Sequence, residues 1–208
     1  MSERCIIVGG GDFSPALLPE RAPGDLLLAA DSGFAALDAM GVRPDICIGD
    51  FDSLGAPPDF DHIIRLPVEK DDTDLMAAVK LGLERGYRRF TLLGALGGRR
   101  FSHSLAAVQT LCWLIAQGAR GELVSPGCRV TAASGETLSY PASAHGSISV
   151  FAAGDSAVVT LRGLKYTLES YRLSGFFPLG VSNSFTGAAA SVTVHDGIAV
   201  IVEEPDEH

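Results

Sequence analysis

The 208-residue sequence predicts an α/β protein. We expect an N-terminal, mostly parallel sheet with flanking helices, followed by a small C-terminal all-β sandwich domain. Over the first 125 or so residues, short apolar runs alternate with helix-length segments, which is typical of βα units in a parallel sheet. After SPGC at Ser125–Cys128, helical patterns give way to β-branched runs separated by turns. The predicted domains are therefore residues 1–127 and 128–208.

The N-terminal elements follow from apolar runs and helix stop signals. Two runs, LLLAA and ICIG, are apolar throughout, as expected for strands covered on both faces. Glycine is expected just past a helix end, and three segments meet that condition: Gly33–Met40 before Gly41, Thr73–Arg85 before Gly86, and Ser102–Gln117 before Gly118. The predicted strands are Cys5–Val8, Leu26–Ala30, Ile46–Ile48, Ile63–Leu66, Phe90–Leu93 and Glu122–Val124.

The C-terminal domain is predicted to contain only strands. An Asp-Gly pair between apolar runs is a strong hairpin signal, so the last two strands are expected to form a hairpin through His195-Asp196-Gly197. The predicted strands are Arg129–Ala132, Ser147–Phe151, Ala157–Leu161, Ser191–Val194 and Ile198–Val202.

Composition narrows the class of protein. Hydrophobic residues make up 47% of the chain and charged residues 20%, with a mean hydropathy of +0.25, which is typical of a compact globular protein rather than a disordered one. The net charge of −9 argues against nucleic-acid binding, which depends on clustered Lys and Arg. It does not exclude a nucleotide substrate, because bound Mg²⁺ reverses the local field.

Cysteine spacing and hydropathy indicate a cytoplasmic location. The four cysteines are far apart and form no CxxC pair, which favours reduced thiols over disulfides or structural zinc. The N-terminal RCIIVGGG is typical of a first strand rather than of a signal peptide. Apolar runs all fall short of the roughly 18 residues that a membrane span requires. We therefore expect a soluble protein without a membrane partner.

Carboxylates follow two neighbouring predicted strands. Asp31 comes directly after LLLAA, and Asp50 and Asp52 come after ICIG within GDFDS. In open parallel sheets, ligands bind beyond the carboxyl ends of the strands. Residues i and i+2 of an extended chain point the same way, about 6.5–7 Å apart, so both acids of DFD can face one metal, or two adjacent metals, while Phe51 packs inward. Mg²⁺ takes oxygen ligands, usually one or two carboxylates plus phosphate and water. The alternative is an ordinary polar turn.

A second acidic motif, Lys70-Asp71-Asp72-Thr73-Asp74, opens a predicted helix. Asp72 or Thr73 is expected to be the N-cap, and the helix dipole favours an ionised Asp74 able to bind metal. Lys70 is placed either to contact phosphate or to pair with a neighbouring acid.

A glycine-rich segment, GALGGRRFSH, lies between a predicted strand and a predicted helix. Backbone N–H groups of such a turn, here at Gly97 and Gly98, can approach anionic oxygen, and Arg99 or Arg100 can add a charged contact. The segment is neither a P-loop nor a GxGxxG motif. His103 alone is expected to be a first-turn surface residue. The alternative is a tight connection with two solvated arginines.

These motifs together resemble the thiamine pyrophosphokinase family. The matching blocks are, in order, ADSGFAAL, PDICIGDFDSL, KDDTDLMAA, LGALGGRRFSHSLAAVQTL, GLKY and GVSNSF, and they span nearly the whole chain. The resemblance implies an α/β catalytic domain that binds ATP and Mg²⁺, joined to a β-sandwich domain for thiamine binding and dimerisation. It also implies a homodimer that transfers the pyrophosphoryl group of ATP to the hydroxyl of thiamine and releases AMP.

The same resemblance assigns roles to single residues. It implies that Asp50, Asp52 and Asp74 are catalytic and hold Mg²⁺ on the triphosphate, with Asp31 near the nucleotide. Ser182 and Asn183 correspond to the thiamine-binding segment, which acts across the dimer interface. The other predicted binding residues are Lys70, Asp72, Thr73, Gly97, Gly98, Arg99 or Arg100, and His103.

The chain departs from the family pattern at three points. Ser102 stands where the family usually has Asp, the RRFSH spacing is one residue longer, and Ser184 replaces the acid of the SNE motif. Three rival functions follow from the residues: a pyrophosphokinase for another alcohol of pterin type, a DxD phosphatase with Asp50 as nucleophile, and a non-enzymatic nucleotide or thiamine sensor.

Overall fold

The computed structural model describes residues 3–51, 60–69, 71–98 and 100–206. The chain divides into two compact units, Met1–Thr110 with Gly118–Pro126 and Leu111–Gln117 with Gly127–His208. None of the helices within the described ranges is long and apolar enough to cross a membrane. The α/β fold class is confirmed.

The first unit is built on a parallel sheet. Its strands lie in the order β6-β5-β1-β2-β3-β4, and every adjacent pair is parallel. The strands are β1 (Cys5–Val8), β2 (Leu26–Ala30), β3 (Ile46–Gly49), β4 (Ile63–Arg65), β5 (Arg89–Leu93) and β6 (Arg120–Val124). The helices are α1 (Gly33–Asp38), α2 (Asp74–Glu84) and α3 (Phe101–Ala116), of which only the part up to Thr110 belongs to this unit, and Pro15–Leu17 forms a short 3₁₀ turn.

The central strands of this sheet are buried along their whole length, as the apolar runs predict. Every residue of β1, β2 and β3 is buried. One core cluster gathers side chains from β1, β2, α1, β3 and β5, among them Ile6, Leu27, Leu37, Cys47 and Leu93. A sheet this well covered provides a rigid platform for the loops at its carboxyl edge.

The second unit is antiparallel. Its strands are β7 (Arg129–Ala133), β8 (Glu136–Tyr140), β9 (Ser147–Arg162), β10 (Leu168–Ser174), β11 (Asn183–Ser184) and β12 (Ala190–Glu204). The two long strands, β9 and β12, pair along their length. Toward one end they are flanked by β7 and β11, and toward the other by β8 and β10.

The predicted hairpin at Asp196-Gly197 is wrong. The chain runs on through these residues within β12, and the pairing with β9 shifts register on both sides of Asp196. Gly197 and Gly154 take positive φ values, +75° and +82°, at this irregularity. The turn-like residues therefore mark a β-bulge, which also needs glycine in the left-handed region.

One core cluster joins the two ends of the long strands. It contains Ile148 and Ile201 from one end together with Val159, Leu161 and Val192 from the other. Each of these side chains is at most 2% exposed. The irregularity between the ends thus allows the pair of long strands, β9 and β12, to enclose its own core. The sequence predicts these two long strands only as separate short strands.

Candidate active site

The loops at the carboxyl edge of the parallel sheet enclose a cleft of about 560 Å³. Its walls come from the segments that follow β1, β2, β3 and β5 and from the first turns of α2 and α3. Open parallel sheets bind ligands at this edge, and the volume lies within the usual range for small-molecule sites. The cleft lies entirely within the first unit.

Four acidic residues line this cleft: Asp31, Asp50, Asp72 and Asp74. One side-chain oxygen of Asp31 and one of Asp74 are buried. The Asp31 backbone N–H donates to the carbonyl oxygen of Ile48 at 2.9 Å, which ties the end of β2 to β3. The structure therefore brings together predicted acidic residues that are up to 43 positions apart in the sequence.

Phe51 anchors the residue before it. Its side chain is 2% exposed and packs in the core of the first unit, as the alternation in DFD predicts. Its φ of +59° is in the left-handed region, which is unfavourable for a bulky side chain. Burial of the ring compensates for that conformation, and the backbone that carries Asp50 is thereby held in place.

The start of α2 positions two more acids. Thr73 is the N-cap, because its side chain accepts a hydrogen bond from the Met76 backbone N–H at 3.1 Å. Asp74 therefore lies in the first helical turn, where the helix dipole favours a negative charge. The Asp72 carboxylate accepts hydrogen bonds from Nζ of Lys80 at 2.6 and 2.8 Å. The sequence does not predict the contact with Lys80, because Asp72 lies before the N-cap, outside α2, and eight positions separate the two residues.

The glycine-rich segment also lines the cleft. Gly97, Gly98, Arg100 and His103 are exposed and contribute to its wall, together with glycines of the loop after β1. Gly94 has φ +58°, and a Cβ there would strike the carbonyl oxygen of Gly9. The two glycine-rich loops therefore approach so closely that only glycine fits between them.

The acidic side chains match the chemistry of a divalent cation held jointly with phosphate. Within the part of the chain that the structure describes, no group of three or more His, Cys, Asp or Glu residues is placed to hold a metal unaided. Mg²⁺ commonly uses one or two carboxylates, completing its shell with phosphate oxygens and water. Asp50 and Asp74 in one cleft with a glycine-rich turn fit that requirement.

Three predicted site residues, Asp52, Lys70 and Arg99, lie outside the described residues. The remaining two, Ser182 and Asn183, belong to the second unit. Asn183 is 4% exposed, and its amide bridges the backbone of Tyr166: Oδ1 accepts from the N–H at 2.9 Å, and Nδ2 donates to the carbonyl at 2.7 Å. Ser182 and Ser184 line a cavity of about 790 Å³ within that unit.

Two family models match the chain and together span well over half of it. One is described as "Thiamin pyrophosphokinase, catalytic domain" and matches residues 22–122. The other is described as "Thiamin pyrophosphokinase, vitamin B1 binding domain" and matches residues 137–199. The chain belongs to the thiamin pyrophosphokinase family. The prediction that it is an enzyme of this family is therefore confirmed. A comparison with curated protein sequences gave no significant match.

Solved structures from this family share the fold. Thiamine pyrophosphokinase from Bacillus subtilis is 23% identical, with a TM-score of 0.85 over 99% of this chain and 100% of its own. The enzyme from Geobacillus thermodenitrificans is 28% identical, with a TM-score of 0.78 over 98% of each chain. The Candida albicans enzyme is 14% identical, with a TM-score of 0.79 over 97% of this chain and 90% of its own. The thiamin pyrophosphokinase fold therefore extends over nearly the whole chain.

Proposed function

We propose that this protein is a Mg²⁺-dependent thiamine pyrophosphokinase that uses ATP as co-substrate. The observation that carries the proposal is the single cleft in which Asp31, Asp50, Asp72 and Asp74 face a glycine-rich turn and Arg100. Carboxylates suit a divalent cation, whereas backbone N–H groups and a guanidinium suit phosphate oxygens. A magnesium–triphosphate unit requires both kinds of partner in one place.

The reaction breaks a phosphoanhydride bond and forms a phosphate ester bond. The hydroxyl oxygen of thiamine forms a bond to the β-phosphorus of ATP, and the bond between that phosphorus and the α–β bridging oxygen breaks. The bridging oxygen leaves with AMP, and the hydroxyl proton is released. Most of the catalytic advantage in such transfers comes from orientation and from stabilising negative charge.

The residues of the cleft divide these tasks. Asp50 and Asp74, with Asp52, would hold Mg²⁺, which when bound neutralises charge on the triphosphate. Arg100 and the N–H group of Gly97, in the turn that Gly98 completes, bind phosphate oxygens, with Arg99, Lys70 and His103 as further contacts. Asp31 and Asp72 lie at the nucleotide, and Thr73 caps the start of α2. Proton removal from the hydroxyl is assigned to Asp74 or Asp71.

The second unit is proposed to bind thiamine. Ser182 and Ser184 line the cavity of that unit together with the acidic Glu204 and Asp206. Thiamine carries a positive charge, so carboxylates nearby favour its capture. We assign ATP and Mg²⁺ binding to residues 1–127, and thiamine binding and dimerisation to residues 128–208.

Homodimerisation and a cytoplasmic location are part of the same proposal. The second unit exposes large apolar side chains close together in sequence, namely Phe176, Phe177, Leu179 and Val181, which favours a protein partner surface. Cys5 and Cys47 are buried thiols, in keeping with a reducing compartment. Sedimentation equilibrium is expected to give a mass near twice 21.7 kDa, and a monomeric mass would remove the dimer from the proposal.

The test is an end-point assay with purified protein, ATP, Mg²⁺ and thiamine, in which AMP and thiamine diphosphate are separated by chromatography. We expect both products in equal amounts, and no AMP when EDTA replaces Mg²⁺. A hydroxymethyl pterin in place of thiamine is the control for the acceptor. AMP formed with the pterin but not with thiamine would transfer the proposal to that acceptor, and binding of both substrates without turnover would indicate a sensor.

A further inference from the structure

Hydrogen bonds join the loop after β1 to the loop after β5. The backbone N–H of Gly9 donates to the Leu93 carbonyl at 2.8 Å, that of Gly11 donates to Gly94 at 2.6 Å, and that of Asp12 donates to Leu96 at 2.8 Å. β1 and β5 are neighbours in the sheet, so these bonds extend their pairing beyond the strand ends. The two loops therefore behave as one structural piece.

The side chain of Asp12 adds a contact of a different kind. Its Oδ1 accepts a hydrogen bond from the Gly98 backbone N–H at 3.1 Å. A Cβ on Gly97 would overlap the other carboxylate oxygen, so the carboxylate lies directly against this turn. Gly97 and Gly98 have φ values of +69° and +73°. The carboxylate thus contacts both residues of a consecutive left-handed pair.

This turn is part of the cleft, where Gly97 and Gly98 form the wall beside Arg100. Successive glycines lose much conformational freedom on ordering, and a turn that binds phosphate is more effective when that loss has occurred before the ligand arrives. A side chain that holds the glycines in position meets this need.

We infer that Asp12 is a positioning residue for the phosphate-binding turn. Its carboxylate accepts the Gly98 N–H and thereby holds Leu96–Gly98 in the conformation that presents the Gly97 N–H to the triphosphate. The inference depends on the proposed function for the identity of the ligand. The contact itself, in which Asp12 accepts a hydrogen bond from the Gly98 N–H, does not depend on that function. Asparagine at position 12 retains an acceptor oxygen and loses the charge, whereas alanine loses both.

Hydrogen exchange tests the contact without any substrate. In the full-length protein, Asp12→Ala is expected to speed amide exchange in the peptide that contains residues 94–98 by about tenfold or more, because a hydrogen bond to a charged group is lost. Asp12→Asn is expected to remain within about threefold of the wild-type rate. Asp38→Ala, at an exposed position in α1, is the matched control. Unchanged exchange in Asp12→Ala overturns the inference.

Steady-state kinetics then tests the role. Asp12→Ala is expected to raise KM for ATP about tenfold, equal to about 1.4 kcal/mol, while kcat and KM for thiamine stay within twofold. Asp12→Asn is expected to restore KM for ATP. If both variants bind ATP more tightly than the wild type, the carboxylate competes with phosphate for Gly98 and the inference is wrong. A wild-type protein that forms no thiamine diphosphate contradicts the proposed function, whereas the exchange result still decides the role of Asp12.

Discussion

The two ends of the parallel sheet in the first unit differ in the surroundings of their acidic side chains. At the amino end, Asp25 precedes β2 with its side chain 2% exposed, and Arg4 precedes β1. The Asp25 carboxylate accepts hydrogen bonds from the backbone N–H, Nε and Nη2 of Arg4 at 2.8, 3.0 and 2.6 Å, and from the Ala22 N–H at 3.0 Å. This is a buried charge that is paired and hydrogen-bonded by groups of the protein itself.

At the carboxyl end, Asp31, Asp50, Asp72 and Asp74 line one open cleft. Two residues at this end, Asp31 and Phe51, also have positive φ values, +49° and +59°. Grouped carboxylates and strained backbone both cost stability, and both are typical of functional sites. The comparison indicates that the amino end stabilises the sheet and the carboxyl end is organised for a ligand.

Substitutions of the acidic residues at the carboxyl end of the sheet should have the largest effect on the rate of AMP formation. Asp50→Asn or Asp74→Asn should lower the rate of AMP formation by at least about 1,000-fold, because an amide is a weak ligand for Mg²⁺ and the substitution removes charge from the proposed triphosphate site. The melting temperature should fall little or not at all. Chromatography of AMP and calorimetric unfolding of the same samples measure both. Near-normal turnover in either variant would remove that carboxylate from the proposed metal ligands.

A substitution at the amino end of the sheet should have a smaller effect, and it should act on stability rather than on turnover. Arg4→Ala leaves the buried Asp25 without its charged partner and should lower the free energy of unfolding by about 3 kcal/mol. The turnover number at a temperature well below the unfolding transition should be unchanged. Urea unfolding measures the first quantity and the AMP assay the second. A loss of stability below about 0.5 kcal/mol would show that the pair contributes little.

Low pH is expected to weaken the interaction between Asp25 and Arg4 at the amino end. Burial alone would raise the pKa of Asp25, but the hydrogen bonds from Arg4 and Ala22 outweigh it and lower that pKa from 3.8 to about 2. A carboxyl whose pKa is lower in the folded state stabilises the protein above its unfolded pKa, and that contribution is lost as pH falls from about 4 to about 2. We expect a loss of about 2 kcal/mol over this range. Urea unfolding of wild type and Asp25→Asn at pH 5 and pH 2 measures it, and parallel pH profiles would contradict the assignment.

The smallest expected effect concerns Lys80, whose side chain is 42% exposed in its pair with Asp72. Lys80→Met should change the free energy of unfolding by less than about 1 kcal/mol, because water screens exposed pairs. The pair Arg162–Glu169 in the second unit, with both side chains about 70% exposed, supplies the control variant Arg162→Ala. A change in urea unfolding several times larger for Lys80→Met would mean that the pair fixes the start of α2.

The sequence predicts the first unit well because its signals are local. Strands β1 and β2 begin and end where their apolar runs do, and the three helices lie within two residues of the predicted bounds. In the second unit, β8 and β10 are missed because they contain no continuous apolar or β-branched run and carry Glu and Ser. The bulge in β12 has the composition of a turn. Only the pairing of β12 with β9 on both sides of Asp196 distinguishes a bulge from a hairpin turn.

The candidate site shows the same division. Asp31, Asp50 and Asp74 are predicted from their places after strands or before a helix, which are local features. Asp12 and Lys80 act through contacts across 86 and 8 positions of the sequence, and those contacts depend on the order of the strands and on side-chain direction. The sequence shows a glycine-rich loop followed by Asp at the end of β1. It does not show that β5 lies beside β1 in the sheet.

Binding of the cation and the triphosphate at the carboxyl edge of the sheet can be measured by titrating the protein with Mn²⁺ in the presence of ATP, followed by electron paramagnetic resonance. Wild type and Asp25→Asn should bind the metal–nucleotide complex with equal affinity, whereas Asp50→Asn and Asp74→Asn should bind it at least about tenfold more weakly, a loss of about 1.4 kcal/mol or more. Equal affinity in all four proteins would contradict the claim that the carboxyl edge of the sheet holds the cation and the triphosphate.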